Sequence, residues 1–280
     1  MQLYKARPSH PLNSKTHVLD NLHQTQLLKP TIPIIQHSLS HQLIKMSTNT
    51  TLPTAKEVDS YVVSHLVSTD QALTDTISSC AKSGIPPIAI SPAQGKFLSL
   101  LTKMSGAHNV LEIGTLGGYS SIWFARALNA NGKKGKVTSI EILEDRRELA
   151  MQNLRNAGVK VPDEAEVLLG PGLEVLPRLE EEIQQGKRPK FDFVFIDADW
   201  DNQWQYFDYG VKLAKGPGAV ILIDNVVQAM LGDGIVGPEK RKQGAISVVE
   251  KVGQDRRVEA ALVQTLGTKS HDGFLMALVV

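Results

Sequence analysis

Residues 111–120 read Leu111-Glu112-Ile113-Gly114-Thr115-Leu116-Gly117-Gly118-Tyr119-Ser120. The apolar run Val110–Ile113 stops at Gly114, and a helical pattern begins at Tyr119 and runs to Leu128. Strand, glycine turn and helix in that order open a βαβ unit. The same alternation continues down the chain. Short apolar runs lie at Val137–Ile140, Ala165–Leu169, Phe191–Ile196 and Ala219–Ile223. Helical patterns over Glu144–Ala157, Leu173–Ile183 and Trp204–Ala214 separate them. Continuous rather than alternating apolar runs predict a parallel sheet covered on both faces. After Asp224 the pattern changes to a polar, glycine-rich loop reaching about Lys242, followed by a helix to about Val252. The runs Val258–Gln264 and Gly273–Val280, joined around Gly267–Asp272, fit an antiparallel hairpin closing the sheet edge. The expected fold is α/β: a doubly wound, mostly parallel, seven-stranded Rossmann-like sheet with an antiparallel C-terminal hairpin.

Upstream of the sheet, Thr54 with Glu57 has capping-box spacing. Val58, Tyr61, Val62, His65 and Leu66 then form a helical stripe. A second helix is expected over Gln71–Lys82, ended by Gly84. Pro86-Pro87 is a rigid connector. A third helix begins near Pro92, with Phe97, Leu98, Leu100 and Leu101 as its apolar side.

The first 45 residues differ from the rest. Lys5, Arg7, Lys15, Lys29 and Lys45 face one acid, Asp20, among five histidines and many polar residues. No period persists, so residues 1–45 read as a disordered leader and residues 46–280 as the catalytic domain. The leader is either a passive or over-extended segment before a second start at Met46, or a mitochondrial presequence, being basic and acid-poor. Without it the chain has 25 basic and 28 acidic residues, a net charge of −3. That balance argues against nucleic acid and anionic membrane partners. No apolar run approaches the roughly 20 residues that cross a bilayer. The single cysteine, Cys80, excludes an intrachain disulfide and fits a cytoplasmic protein.

Ligands of such folds bind beyond the carboxyl ends of the strands. Gly114 and Gly117 allow close approach to backbone, and the following helix supplies N–H groups. Position 116 is leucine, so the dinucleotide pattern G-x-G-x-x-G is missing, which disfavours a nicotinamide enzyme. Glu112 would repel a pyrophosphate but suits the ammonium of an amino-acid moiety. Glu141, ending the second strand, suits ribose hydroxyls. Gly170-Pro171-Gly172 is either an adenine neighbour or a plain turn. Asp197 and Asp199 follow the fourth strand, and Asp224-Asn225 follows the fifth. Asp197, Asp224 and Asn225 offer three hard oxygen ligands and favour Mg²⁺, with Mn²⁺ or Ca²⁺ behind it. Acids at strand ends also serve as helix caps.

Ser91–Leu98, Leu111–Ser120, Phe191–Asp199 and Ile223–Val226 together resemble the cation-dependent O-methyltransferases of the caffeoyl-coenzyme A and catechol type, a class I methyltransferase family. The resemblance spans about Pro53 to Val280. It implies that Glu112, Gly114, Ser120, Glu141, Gly172 and Asp199 contact S-adenosyl-L-methionine and that Tyr206 covers it. It implies that Asp197, Asp224 and Asn225 hold the divalent cation, and that the acceptor is a small vicinal-diol aromatic. It also implies a homodimer. The loop Val226–Gln243, with Trp200 and Trp204, is expected to border the acceptor.

One position departs from the pattern. The family's lysine after Asp-Ala-Asp is Trp200 here, and an indole N–H is no base. Either the cation alone acidifies the substrate, or Asp201 or His271 accepts the proton, or the chain is a donor-binding pseudoenzyme with a regulatory role.

Overall fold

A computed structural model describes residues 55–130, 134–266 and 271–280. The leader assigned to residues 1–45, the cap expected at Thr54 and the centre of the hairpin turn lie outside the described residues. Three helices come first: α1 (Ala55–Leu66), α2 (Gln71–Lys82) and α3 (Pro92–Met104). Asp70 caps α2, its carboxylate accepting from the Leu73 N–H at 3.1 Å. Ser91 and Gln94 form a reciprocal capping box on α3, with Pro92 in its first turn.

The alternating region folds as read. Strands β1 (Asn109–Ile113), β2 (Lys136–Glu141), β3 (Ala165–Leu169), β4 (Phe193–Ile196) and β5 (Val220–Ile223) are separated by α4 (Tyr119–Ala130), α5 (Glu144–Asn156), α6 (Gly172–Gln184) and α7 (Gln203–Leu213). The last strands are β6 (Val258–Leu266) and β7 (His271–Val279). The sheet order is β3-β2-β1-β4-β5-β7-β6, and only β7 and β6 run antiparallel to their neighbours. The order reverses between β1 and β4, which places the switch point at the Gly114 turn.

Side chains alternate between two cores, as the two-residue period of a strand requires. Val110, Val137, Phe193 and Phe195 pack on one face with α4 and α5, and Leu111, Ile113, Val194 and Ile196 on the other with α6 and α7. Both faces are covered, which is why the strands read as unbroken apolar runs.

The stripe on α1 forms a helix as expected, though the helix buries no residue and Tyr61 is 67% exposed. Two expectations are corrected. On α3, Gly95, Leu98, Ser99 and Thr102 are buried while Leu100 is exposed, because Gly95 lies against the Trp123 indole and rotates the buried side. The segment after Asp224 is not loop throughout. It opens with a helix, α8 (Val226–Gly232), and the following helix, α9 (Val248–Val252), is short and capped by a Ser247–Glu250 box. No helix among the described residues is long and apolar enough to cross a membrane.

Candidate active site

The carboxyl ends of the parallel strands open into a cavity of about 1100 Å³. At its β1 end the β1–α4 turn is held by its own backbone. Gly114 has φ +102°, and a Cβ there would lie 2.0 Å from the Asp197 carbonyl oxygen. Leu116, at φ 53°, is a left-handed non-glycine residue. Its N–H donates to Glu141 Oε2 at 2.8 Å, while the Leu143 N–H donates to Glu141 Oε1 at 3.0 Å. These two bonds orient a carboxylate that lines the cavity and is nearly buried. Gly117 backs onto Cys80, whose thiol burial pushes upward in pKa, away from the reactive thiolate.

Glu112, below the same turn, is fully buried and does not line the cavity. Ser120 and Ser139 donate to it at 2.5 Å, and Ser121 donates as well. Ser139 also shares a 2.5 Å hydrogen bond with Thr115, which does line the cavity. Burial raises the Glu112 carboxyl, the three hydroxyls lower it and the Glu141 charge raises it again, with a net upward shift. Glu112 is therefore the buried anchor under the glycine turn.

Gly114, Ser120, Glu141, Gly172, Asp199 and Tyr206 all line the cavity. Tyr206 donates to Asp199 Oδ1 at 2.5 Å, and Asn202 donates to Asp199 Oδ2 at 2.5 Å. Burial and the Asp199 charge push the Tyr206 hydroxyl well above its ordinary pKa, so it remains a donor. The Tyr206 ring also lies where a Cβ on Gly172 would reach, at 2.7 Å. The first turn of α6 and the start of α7 thus close on each other without a side chain between them.

The acidic end is set by strand register. Ile196 pairs with Ile223, so Asp197 and Asp224 follow at the same level on adjacent parallel strands, about 4.8 Å apart in the hydrogen-bonding direction. The Asp224 N–H donates to the Ile196 carbonyl at 2.9 Å, and Gln203 Nε2 donates to the Asp224 carbonyl at 3.0 Å. Asn225 turns left-handed, at φ 60°, and its Nδ2 donates to Asp272 Oδ2 at 3.0 Å. Asp197, Asp224 and Asn225 all line the cavity. The described lining carries six carboxylates against a single guanidinium, that of Arg146. A wall of one sign focuses a negative potential that favours cationic ligands.

Trp200 begins a single 3-10 turn, Trp200–Asn202, and lines the cavity with its indole 46% exposed. Neither alternative base reaches this space. Asp201 borders a separate cavity of about 90 Å³, and His271 is an exposed residue bonded to Gln264 at 2.8 Å. Trp204, Met230 and Ile235, expected around the acceptor, line that second cavity. From α8, only Gln228 reaches the main one. The apolar wall there comes instead from residues that sequence reasoning did not assign: Ile88, Phe97 and Phe274, the last two with rings 5.1 Å apart. Asp59 and Asp272 were likewise missed, whereas Gln228 belongs to the segment expected there. The sequence places Phe274 in the last strand and Asp272 in the turn before it, and neither position signals the cavity.

The model of the O-methyltransferase family matches residues 63–278. The chain is 40% identical over 228 residues to the O-methyltransferase imqG of Aspergillus flavus, covering 79% of this chain and 90% of that one. It is 40% identical over 230 residues to the catechol O-methyltransferase of Mycobacterium tuberculosis, covering 81% and 97%. The structure of an O-methyltransferase from Bacillus cereus in complex with SAH superposes with a TM-score of 0.71 at 38% identity, covering 81% and 98%.

Proposed function

The chain belongs to the O-methyltransferase family, and from that premise we propose that it methylates one hydroxyl of a small vicinal-diol aromatic, using S-adenosylmethionine and a divalent cation. The observation that carries this reading is one continuous cavity. It joins the Gly114–Ser120 turn and Glu141 to Asp197, Asp224 and Asn225. The SAH-bound relative and the catechol-named relatives support the donor and the acceptor class.

The residues fit a hard cation. Two carboxylates and one amide meet at adjacent strand ends. The described lining has no imidazole, and its one thiol, that of Cys80, backs onto Gly117 at the nucleoside end. The Asn225 NH₂ is already turned to Asp272, which leaves the amide oxygen as the ligand. When bound, such a cation supplies Lewis acidity that lowers the pKa of an attached hydroxyl.

The chain's own groups do the remaining work. Glu141, braced by two backbone N–H groups, accepts from ribose hydroxyls. Gly114 and Gly117 admit the amino-acid part of the donor to backbone. Phe97, Phe274 and Trp200 offer flat apolar surface to an aromatic ring, so that orientation carries much of the rate. Trp200 takes no proton, and Asp201 and His271 lie off this cavity. The reading with cation acidification alone is therefore the one the geometry favours.

The exposed apolar face of α1, with Val58, Tyr61 and Leu66, supports a homodimer contact. Sedimentation of the full chain tests it, with a monomer at micromolar concentration as the contrary result. One buried cysteine suits a reducing compartment such as the cytoplasm.

The test of function is a methylation screen of vicinal diphenols. Turnover should require both adjacent hydroxyls, vanish in EDTA and return with Mg²⁺ or Mn²⁺. Full turnover in chelator, with metal content measured as nil, would refute the cation reading.

A further inference from the structure

Asp272 is not among the expected cation ligands, yet its carboxylate gathers three hydrogen bonds at the acidic end. It stands at the start of β7, beyond the Ile223–Leu275 pair, where the strand overhangs the first turn of α8. Its Oδ2 accepts from Asn225 Nδ2 at 3.0 Å. Its Oδ1 accepts from the Gly273 N–H at 2.8 Å and from the Gln228 N–H at 3.2 Å. Gln228 Nε2 also donates to the His271 carbonyl at 2.5 Å. A Cβ on Gly273 would come within 2.7 Å of Val227, so glycine there lets α8 sit close enough for these bonds.

The chemistry of the pair is directional. A carboxylate facing three N–H donors is an acceptor, so the part of the Asn225 amide turned to it has to be the NH₂. An amide has one oxygen, and Asn225 lines the same cavity as Asp197 and Asp224. Without Asp272, the amide of a left-handed residue on a short helix cap has no reason to prefer that orientation. Turned over, it would present NH₂ hydrogens to a cation.

We propose that Asp272 is a positioning residue that fixes the Asn225 amide with its oxygen towards the divalent cation. The proposal rests on the cation reading given above. Partners that orient a metal ligand characteristically change affinity by about 10–100-fold when lost. The same contact ties the C-terminal hairpin to the strand ends, so β7 has a part in the cation site although no residue of β7 is a ligand.

The experiment is Mn²⁺ titration of the full chain, reading free Mn²⁺ by electron paramagnetic resonance, with SAH affinity measured separately in chelator. Asp272→Asn should weaken Mn²⁺ binding by about 10–100-fold and leave SAH affinity and melting temperature near wild type. A carboxylate at position 225 presents an oxygen either way, so the cycle with Asn225→Asp isolates orientation. Asp272→Asn should cost that factor in the wild-type background and nothing in the Asn225→Asp background. Wild-type Mn²⁺ affinity in Asp272→Asn overturns the positioning role and leaves the cation reading standing. An equal loss in both backgrounds, or a parallel loss of melting temperature and SAH affinity, shows a merely structural carboxylate and also overturns it. No Mn²⁺ binding by wild type removes the cation reading, and the proposal with it.

Discussion

The carbonyl oxygen of Asp197 occupies the space a side chain at Gly114 would need, 2.0 Å from the position of its Cβ. The two residues follow the central parallel pair Ile113–Ile196, and the Asp197 N–H donates to the Ile113 carbonyl at 2.9 Å. The glycine turn after β1 and the first acid after β4 are therefore held against each other through backbone alone. Neither can shift without the other, so the distance between the two halves of the cavity is fixed by one missing methyl group.

Gly114→Ala tests that contact. The residue would need a left-handed conformation, at about 1–3 kcal/mol, and a displaced strand end, at about 1–3 kcal/mol more. Urea unfolding should show a loss of several kcal/mol, about the sum of those terms, and SAH binding should weaken at temperatures where the variant stays folded. A variant as stable as wild type would mean that the strand ends are not coupled here.

Glu141 and Glu112 should separate in calorimetry, although both end or nearly end a central strand. Glu141→Ala removes a cavity carboxylate and releases the Leu116 and Leu143 N–H groups, so SAH affinity should fall by about 1–3 kcal/mol. Glu112→Gln, behind the wall, keeps an acceptor for the serine hydroxyls and should keep SAH affinity. A loss equal to that of Glu141→Ala would put Glu112 in direct contact with the donor.

Glu112 also shows where reading from sequence stops. Its strand was legible because both faces of the sheet are covered and every buried position had to be apolar, which made a carboxylate there conspicuous. Its partners were not legible. Ser120 and Ser121 come from the next helix and Ser139 from the next strand, and only register brings the three hydroxyls to one carboxylate. Asp197 and Asp224 could be paired in advance, because neighbouring parallel strands end at one level. Asp272 and Phe274 could not, because their place depends on β7 inserting between β5 and β6. The α1 stripe was read correctly as a helix face, but periodicity states which side is apolar and not what covers it. Helix α8 was missed because its short span is followed by glycines. Part of its first turn is held from β7, by the bond from the Gln228 N–H to Asp272.

Acid should weaken the amino end of the sheet through Asp192. Burial alone would raise its carboxyl, but the N–H groups of Asn109 and His108, each at 2.8 Å, and the Lys215 ammonium at 3.0 Å outweigh it. The carboxyl is held below its ordinary value of 3.8. A depressed carboxylate contributes stability that is present above the ordinary value and lost as pH falls through the folded one. Asp192→Ala should therefore cost about 1.5–3 kcal/mol at pH 7, the scale for hydrogen bonds to a charged group. The difference from wild type should narrow below pH 3.8. Urea unfolding across that range measures both, and a difference that stays constant down to full protonation would show that the charge is not the cause.

Trp200 is the residue on which the proposed route of proton loss is tested. It lines the cavity at the position where the resemblance implies a lysine, and the two other bases considered, Asp201 and His271, do not line it. If cation acidification suffices, wild type should methylate catechols with a rate that rises with pH until the bound hydroxyl is ionised. Electron-withdrawing ring substituents should move that rise to lower pH. Trp200→Lys then adds a base and should raise the rate near neutrality, by at most about 10²–10⁴-fold. The gain should shrink at high pH, where the hydroxyl ionises unaided. The indole is 46% exposed, so its replacement removes little packing and the comparison reads chemistry more than stability. Rates for both proteins across a pH series, on a panel of catechols with Mg²⁺ present, supply the check. A wild type silent at every pH, beside an active Trp200→Lys, would leave the donor and cation assignments in place. It would also make this chain a donor-binding protein whose chemistry was removed by one substitution.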